Sequence, residues 1–301
     1  MVDVDTPPRF SRLPEPLVGA LRELARAKRL LVALDFDGTL APEVDDPETA
    51  RALPQAREAV LRLLGMPNTR VALVSGRAIA SLEAVADLPD TTLLVGSHGI
   101  ELRLDSPRAD VSLDTAELRQ VETISAVLGE VADSVDQVWI EPKPAGFALH
   151  TRLASEWNSR IAHLVARSEV VAEVDDVYIR EGKNVLEFSV RSTTKGEALE
   201  HLRRYTQADA VFYAGDDVTD EDAFAALGPD DVGLKSGDGV TLANFRVPGP
   251  LQIARAIELL ADLREGDVHE FRQHSRARPE DQCTQREQHV VPELVRQAPQ
   301  R

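Results

Sequence analysis

The amino-acid sequence predicts an α/β protein with a doubly wound parallel sheet, interrupted by a smaller α+β segment. Short, wholly apolar runs occur in two separate parts of the chain and alternate with helix-period patterns, as expected for strands buried between helices. Between them, the runs alternate apolar and polar residues, which predicts antiparallel hairpins. We therefore assign residues 1–103 and 192–265 to a core domain, 104–191 to an inserted cap and 266–301 to a flexible tail.

The composition limits the classes of partner. The 301 residues can bury a full core, and 51 Asp and Glu against 34 Lys and Arg give a formal charge of -17, which repels nucleic acid and anionic lipid. The single Cys283 forms no internal disulfide, and the sequence contains neither an export signal nor an apolar run of the ~18 residues that a membrane span needs. We expect a cytoplasmic monomer that binds neither nucleic acid nor membranes.

The first elements deliver two acids to one place. Apolar spacing over residues 17–24 predicts a helix, and residues 31–34 predict a buried strand that ends at Asp35 and Asp37. Ligands bind at the carboxyl ends of such strands, and residues two apart on an extended chain share a side. Two close carboxylates repel unless a cation joins them or one keeps its proton. Mg²⁺ binding, or a nucleophile with a general acid, explains the pair, and an acidic strand-ending turn is the alternative.

The second strand ends in groups that suit an anion. A helix over residues 56–64 precedes a strand over 71–74, which runs into Ser75, Gly76 and Arg77. A hydroxyl, a flexible turn before a helix and a guanidinium can together bind a phosphate. A plain strand-ending Ser-Gly turn explains the same residues equally well without further context.

A third strand over residues 91–95 leads into the cap, for which the pattern predicts two helices and two hairpins. The predicted elements are a helix over 115–128, strands over 138–143 and 146–152, a helix over 157–168 and strands over 177–179 and 184–190. Three pairs of polar residues share faces of these strands: Glu141 with Lys143, His150 with Arg152, and Lys183 with Glu187. Each pair alone is typical of a solvated face, but three pairs favour a lining for a polyhydroxyl ligand.

Lys195 begins the return to the core. Thr193 or Thr194 can cap a helix that runs to about residue 205, and a lysine in its first turn opposes the usual acidic preference. Binding the anion that the helix terminus attracts explains this cation, and a solvated surface lysine is the alternative.

A strand over residues 210–214 is followed by five acids within seven residues, which is costly without a metal or helix caps. We predict that Thr219 or Asp220 caps the next helix and that Asp216 is free for an ion, with Asp220 at the ion or at its waters. A last short strand over 232–235 and a closing helix over 251–263 complete the core.

Four stretches resemble the signatures of the haloacid-dehalogenase superfamily: Asp35–Leu40, Ser75–Gly76, Lys195–Gly196 and Gly215–Phe224. The last of them, together with residues 96–101, 150–152 and 182–187, resembles the trehalose-6-phosphate phosphatases over about residues 31–261. The chain has Ser192-Thr193-Thr194 where that family usually carries a proline and often an asparagine, which concerns the local loop shape. The resemblance implies a Rossmann-like core with a specificity cap and hydrolysis of trehalose 6-phosphate with Mg²⁺, in trehalose biosynthesis.

The resemblance also implies roles for individual residues. Asp35 is the nucleophile that becomes an aspartyl phosphate, and Asp37 is the general acid and base. The phosphate is bound by Ser75, Gly76, Arg77 and Lys195. The ion is held by Asp35, the Asp37 main-chain carbonyl, Asp216 and Asp220. The expected sugar contacts are His98, Glu101, Glu141, Lys143, His150, Arg152, Lys183 and Glu187.

The sequence is also compatible with three other functions. Another sugar phosphatase and a phosphomannomutase-like transferase would share the core and a similar cap. A sugar-phosphate sensor would need neither a nucleophile nor a general acid, so intact Asp35 and Asp37 argue against it.

Overall fold

The computed structural model describes residues 13–105, 113–182 and 184–276. Lys183, one of the expected sugar contacts, and residues 277–301 of the expected tail lie outside the described residues.

The predicted helices and strands occur in the predicted order, and residues 101–103 and 245–247 form two short strands that were not predicted. The first part contains α1 (Glu15–Ala25), β1 (Leu30–Leu34), α2 (Pro54–Leu64), β2 (Thr69–Val74), α3 (Ile79–Ala86), β3 (Leu93–Gly96) and β4 (Glu101–Arg103). The insertion contains α4 (Thr115–Ser134), β5 (Trp139–Lys143), β6 (Gly146–His150), α5 (Glu156–Glu173), β7 (Tyr178–Gly182) and β8 (Val185–Ser189). The chain returns through α6 (Lys195–Thr206), β9 (Ala210–Gly215), α7 (Asp220–Ala225), β10 (Val232–Ser236), β11 (Phe245–Val247) and α8 (Pro250–Arg276).

The larger sheet has the strand order β11-β10-β9-β1-β2-β3-β4. Its strands are parallel except for β4, which runs antiparallel to β3. In this register Leu34 of β1 lies opposite Leu73 of β2 and Ala214 of β9. The residues that follow these strands therefore meet at one edge of the sheet, and Asp35 continues the pairing because its N–H donates to the Ala214 carbonyl.

Strand β1 is buried on both faces because helices cover each side of the sheet. Val32 and Leu34 belong to the cluster formed with α1, α2 and α8, whereas Leu31 and Ala33 pack with α6 and α7 on the other face. Full burial of an aliphatic side chain contributes roughly 1.5–3 kcal/mol, so a shift of β1 by one residue would be expensive on both faces. The packing thus holds Asp35 in register.

The insertion has an antiparallel sheet in the order β5-β6-β8-β7. Helices α4 and α5 cover this sheet. Ile124 and Leu128 of α4 pack with Leu149 of β6 and Leu186 of β8 in an apolar cluster separate from the core. The two predicted hairpins are therefore confirmed, and β6 and β8 join them into one sheet. The exact residue boundaries of core and cap stay predictions.

Helix α8 is longer than the sequence pattern predicts. It runs to Arg276, so residues 266–276 continue the helix where a tail was expected. Gly266 alone costs about 1 kcal/mol in a helix interior, and the next proline is Pro279. Arg62 on α2 binds Asp262 and Glu265, which supports the turn just before that glycine.

None of the helices in the described part of the chain combines the length and the apolar composition that crossing a membrane requires.

Candidate active site

A buried lysine lies between two carboxylates at the edge where β1 and β9 end. The Nζ of Lys195 donates to Oδ1 of Asp35 at 2.8 Å and to Oδ1 of Asp220 at 2.7 Å. Burial by itself would lower the pKa of Lys195, but the charges of Asp220 and Asp35 raise that pKa above its ordinary value. Lys195 is therefore a protonated cation inside the site rather than a solvated surface lysine.

Three carboxylates surround this single ammonium. Oxygen atoms of Asp35, Asp216 and Asp220 all lie within 4.8 Å of one another. Burial raises the pKa of Asp35 well above its usual range against the opposing charge of Lys195, and the charges of Asp220 and Asp216 raise it further. Burial and the charge of Asp220 also raise the pKa of Asp216, to about 6. Carboxylates this close repel one another, and a divalent cation held between them would relieve that repulsion.

The residues fit Mg²⁺ in their donor chemistry, because the ion prefers carboxylate oxygens and waters. Gly38 has a φ of +73°, and a Cβ there would lie 2.0 Å from Oδ2 of Asp216. Only glycine lets the loop after β1 approach the carboxylate so closely. Thr39 donates to Oδ1 of Asp216 at 3.2 Å, which orients this carboxylate towards the end of β1.

Asp220 is the most deeply buried of the three carboxylates and supports the other two through hydrogen bonds. It is fully buried, and its Oδ1 accepts from Lys195 and from the Tyr213 hydroxyl, each at 2.7 Å. Its Oδ2 accepts the main-chain N–H groups of Asp216 and Asp217, each at 2.9 Å. Asp220 thus already accepts four hydrogen bonds, more than Asp35 or Asp216 accepts within the described part of the chain, so those two are the better side-chain ligands for an ion.

The two predicted helix caps have different outcomes. Thr194 caps α6 in a reciprocal capping box with Glu197, as predicted. Thr219 occupies the N-cap position of α7, one of the two positions predicted, but its side chain makes no capping bond, and Asp220 is already the first helical residue. The carboxylate of Asp220 instead turns back to the loop after β9.

Asp37 and Arg77 form a forked ion pair. Nε and Nη2 of Arg77 donate to the two carboxylate oxygens of Asp37 at 2.6 and 2.7 Å. The neighbouring Ser75 is buried, and its Oγ accepts the main-chain N–H of Arg77 at 3.2 Å. The second predicted signature therefore lies beside the first, with its guanidinium directed at Asp37.

His98 links the core to the cap. Ser97 and His98 both have positive φ angles of 49° and 56°, and a Cβ on Gly76 would lie 2.6 Å from the His98 ring. Nε2 of His98 lies 3.4 Å from Oε2 of Glu187 on β8. Burial lowers the pKa of His98 against the opposing effect of Glu187. Burial would raise the pKa of Glu187, but the hydrogen bond from His98 together with the charges of His98, Lys143 and Arg180 lowers it.

A cavity of about 190 Å³ lies at this junction. Its lining comes from loops of the core, from the cap sheet and from the segment that follows β8, and it includes Gly76, His98, Lys143, Arg180, Glu187 and Thr193. Three of the expected sugar contacts therefore line one cavity next to the second signature.

Among the described residues, the other expected cap contacts, Glu141, His150 and Arg152, are not part of this cavity lining. Glu141 accepts from Lys143 and from His150, each at 2.8 Å. Burial would raise the pKa of Glu141, but the hydrogen bonds and charges of these two partners lower it to about 2. Arg152 donates to the main-chain carbonyl of Asp45, in the loop between β1 and α2.

Glu101 is buried inside the core, with 1% of its surface exposed. Its Oε2 accepts the N–H of Ile79 at 3.0 Å and the hydroxyl of Ser97 at 2.8 Å. These contacts hold the start of α3 against the loop that carries His98, so Glu101 supports that loop from beneath.

Sequence reasoning missed several residues of the site. Arg180 lies opposite Glu187 in the β7–β8 register, and it was missed because it follows the predicted strand over 177–179. Lys235 is buried at the end of β10 and donates to the Asp216 carbonyl, and its only signal was a lysine in an apolar strand. Tyr213 could not be identified from the sequence, because a tyrosine within an apolar strand is indistinguishable from a core residue.

The fold and this edge of the sheet define a class. The core is doubly wound and carries an inserted cap, and its first strand ends at Asp35 and Asp37 beside a buried lysine and a second acidic loop. This is the architecture of the haloacid-dehalogenase phosphatases. A family model described as trehalose-phosphatase matches residues 33–246. The chain belongs to the trehalose-phosphatase family.

Individual relatives agree with this assignment. The chain is 32% identical over 269 residues to the trehalose-phosphate phosphatase of Mycobacterium ulcerans, and the aligned region covers 84% of this chain and 67% of that protein. It is 31% identical over 274 residues to the Mycobacterium tuberculosis protein of the same name, with 86% and 69% covered. The C-terminal domain of the C. albicans trehalose-6-phosphate phosphatase matches with a TM-score of 0.70 at 23% identity, covering 83% of this chain and 97% of that one. At this identity the last match establishes the shared fold.

Proposed function

We propose that the protein hydrolyses trehalose 6-phosphate to trehalose and inorganic phosphate, with Mg²⁺ and through an aspartyl phosphate on Asp35. The observation that carries this proposal is the ion pair between Asp35 and Lys195 at the carboxyl end of β1. It places a carboxylate and an ammonium at the same point, which supports the proposed roles of nucleophile and phosphate-binding cation. The family assignment and the names of the relatives support the substrate.

The first half-reaction uses both acids of the first signature. A carboxylate oxygen of Asp35 bonds to phosphorus as the bond from phosphorus to the sugar oxygen breaks. Asp37 gives its proton to the departing oxygen. Lys195 and Ser75 balance charge on the phosphoryl oxygens, and Mg²⁺, when held by Asp35, the Asp37 carbonyl and Asp216, supplies further positive charge there.

The second half-reaction restores the enzyme. Asp37, now a carboxylate, takes a proton from a water that attacks the phosphorus of the aspartyl phosphate. The bond between Asp35 and phosphorus breaks, and inorganic phosphate leaves. The atoms balance as one sugar phosphate and one water giving one sugar and one phosphate.

Specificity is proposed to come from the cap. The cavity beside Gly76 combines Lys143, Arg180 and Glu187 with His98 of the core, and such groups can pair with several sugar hydroxyls. A site built for hydroxyl pairing rejects ligands that leave its buried polar groups unpaired. Glu141, His150, Arg152 and Lys183 remain proposed contacts, and Glu101 is proposed to support the His98 loop.

A panel of sugar phosphates, assayed for released phosphate with and without Mg²⁺, tests the function. We expect trehalose 6-phosphate to have the highest kcat/KM and the chelated enzyme to be inactive. Preference for another sugar phosphate would identify a different sugar phosphatase, and transfer of phosphate to a second sugar position would identify a mutase. Binding without turnover would identify a sensor.

We also propose a cytoplasmic location and a monomeric state. The single cysteine is compatible with a reducing compartment, and like-charge repulsion at a formal charge of -17 favours separate molecules. Cell fractionation and light scattering of the purified protein test these two points.

A further inference from the structure

Asp37 and Arg77 are joined by two separate hydrogen bonds, which is more than a neutralising charge alone needs. The guanidinium meets the two carboxylate oxygens through separate nitrogens, at 2.6 and 2.7 Å. Two parallel charge-assisted hydrogen bonds fix the direction of a carboxylate as well as its charge. Asp37 lies two residues beyond the proposed nucleophile and is the proposed general acid for the leaving oxygen.

The arginine is itself held in place by its surroundings. Nη1 donates to Oγ of Ser81 at 3.2 Å, and the guanidinium carbon lies 5.9 Å from the centre of the Phe36 ring. The Arg77 side chain is 10% exposed, whereas that of Asp37 is 38% exposed. The less exposed and more constrained partner is thus the arginine, which makes it the fixed support of the pair.

The same geometry argues against Arg77 as a phosphate ligand, the role expected from the sequence. A phosphoryl group that took the fork would displace Asp37 and leave a carboxylate without its partner near Asp35. Lys195 already places a cation 2.8 Å from the nucleophile. We propose that Arg77 is a positioning residue that acts through Asp37 and not on the phosphoryl group; the inference rests on the proposed function.

The pair would work differently in the two half-reactions. When Asp37 carries its proton, the protonated oxygen directs that hydrogen to the leaving sugar oxygen and its bond to Arg77 is loosened. Once the proton has moved to the sugar, both oxygens of Asp37 accept from Arg77 again. The carboxylate is then held in one direction when it takes a proton from the attacking water.

The test compares two substrates with different leaving groups in variants of both residues. Trehalose 6-phosphate releases a sugar alcohol, which needs a proton, whereas p-nitrophenyl phosphate releases a phenolate that departs without one. The value of kcat/KM reports the steps up to the first irreversible one, which is departure of the leaving group. We expect Arg77→Ala to lower kcat/KM about 10- to 100-fold for trehalose 6-phosphate, within the range of general-acid assistance, and less than about threefold for p-nitrophenyl phosphate.

Two further measurements separate a positioning role from phosphate binding and from folding. Inhibition by inorganic phosphate should be unchanged within about twofold in Arg77→Ala, because the phosphoryl contacts stay intact. Adding Arg77→Ala to Asp37→Asn should cause little further loss, since a residue that acts through Asp37 has no effect without it. Arg77→Lys should recover part of the selective loss, and it keeps a cation in place if the alanine variant does not fold.

Arg29 provides a matched control. It makes a similar fork to Asp209, with Nε at 3.3 Å and Nη2 at 2.9 Å, but precedes β1 and therefore lies at the opposite edge of the sheet. Arg29→Ala should leave the kinetics of both substrates unchanged. A selective loss in Arg77→Ala but not in Arg29→Ala assigns the effect to the site.

Equal losses on both substrates, with weaker inhibition by inorganic phosphate, would make Arg77 a phosphate ligand and overturn the inference. Independent, multiplying losses in the double variant would overturn it as well. An Asp37→Asn enzyme with wild-type kinetics on trehalose 6-phosphate would also overturn the inference, because Arg77 would then have no general acid to position. Absence of trehalose 6-phosphate turnover in the wild-type enzyme would instead contradict the proposed function, so the two failures are distinguishable.

Discussion

Lys195 and Asp35 form a buried ion pair, with 2.8 Å between Nζ and Oδ1 and only 3% and 6% of their side chains exposed. In such surroundings charges interact strongly, but each charge also depends on its partner because burial removes water. The pair therefore combines two functions, since it directs the proposed nucleophile and places a cation where phosphoryl oxygens would bind.

Replacing Lys195 should damage catalysis and stability together. Lys195→Met removes the cation from between Asp35 and Asp220, and breaking a buried charge pair typically costs about 3–5 kcal/mol. We expect a large loss of kcat/KM for every phosphate ester and a lower midpoint in urea unfolding. Lys28→Met, at an exposed position, should change neither measurement. Unchanged kinetics in Lys195→Met would remove this residue from the site.

Replacing Asp35 should separate catalysis from folding. Asp35→Asn keeps the shape of the side chain and an oxygen that can accept from Lys195, but it cannot form an aspartyl phosphate. Phosphate release should fall below detection, while thermal unfolding stays cooperative. Turnover close to wild type would exclude Asp35 as the nucleophile.

Mg²⁺ should stabilise the protein as well as activate it. A ligand present at 100 times its Kd adds about 2.7 kcal/mol to stability, which thermal unfolding with and without Mg²⁺ can measure. A chelator should abolish phosphate release, renewed Mg²⁺ should restore it, and Ca²⁺ should support turnover poorly because its shell is larger and looser. Asp216→Asn should remove most of the Mg²⁺-dependent stabilisation. Full activity in metal-free buffer would contradict the proposed use of the ion.

Asp220 should behave as a support for the cluster. Its carboxylate accepts hydrogen bonds from Lys195, Tyr213 and two main-chain N–H groups. An asparagine would turn an amide N–H₂ towards some of these donors, at a cost of about 1–3 kcal/mol for each group left unsatisfied. We expect Asp220→Asn to lower thermal stability more than Asp216→Asn does, and to retain more of the Mg²⁺-dependent stabilisation. The reverse order would make Asp220 the principal ligand.

Glu187 should affect the sugar more than the phosphate. Glu187→Ala opens the cavity wall opposite His98, so kcat/KM for trehalose 6-phosphate should fall at least about tenfold, consistent with the loss of polar pairing in a specificity pocket. The value for p-nitrophenyl phosphate should change little. Glu181→Ala, on the neighbouring strand and paired with Arg167, is the matched control and should affect neither substrate. Equal losses on both substrates would assign Glu187 to folding or to the chemistry.

Local patterns were sufficient to predict the strands that present the site. Asp35, Ser75 and Asp216 each follow a buried apolar run, and parallel strands place such positions at one edge of a sheet. The two cap hairpins were predicted for a similar reason, because alternation with turn residues is visible within a few positions. The end of α8 was missed because a single glycine resembles a stop signal, whereas α2 supports the helix just before it.

The sequence by itself determined which residue types follow each strand, and with them the expected chemistry of a phosphate and a metal. Only the tertiary structure decided which side chains meet. Lys195 contacts Asp35 across 160 positions of the chain, and Arg77 binds Asp37. Glu101 was expected to contact the sugar, but it is buried beneath the loop that carries His98. The physical reason is that periodicity reports which residues are buried, while the direction of a polar side chain depends on charges and donors that distant strands and loops bring to it.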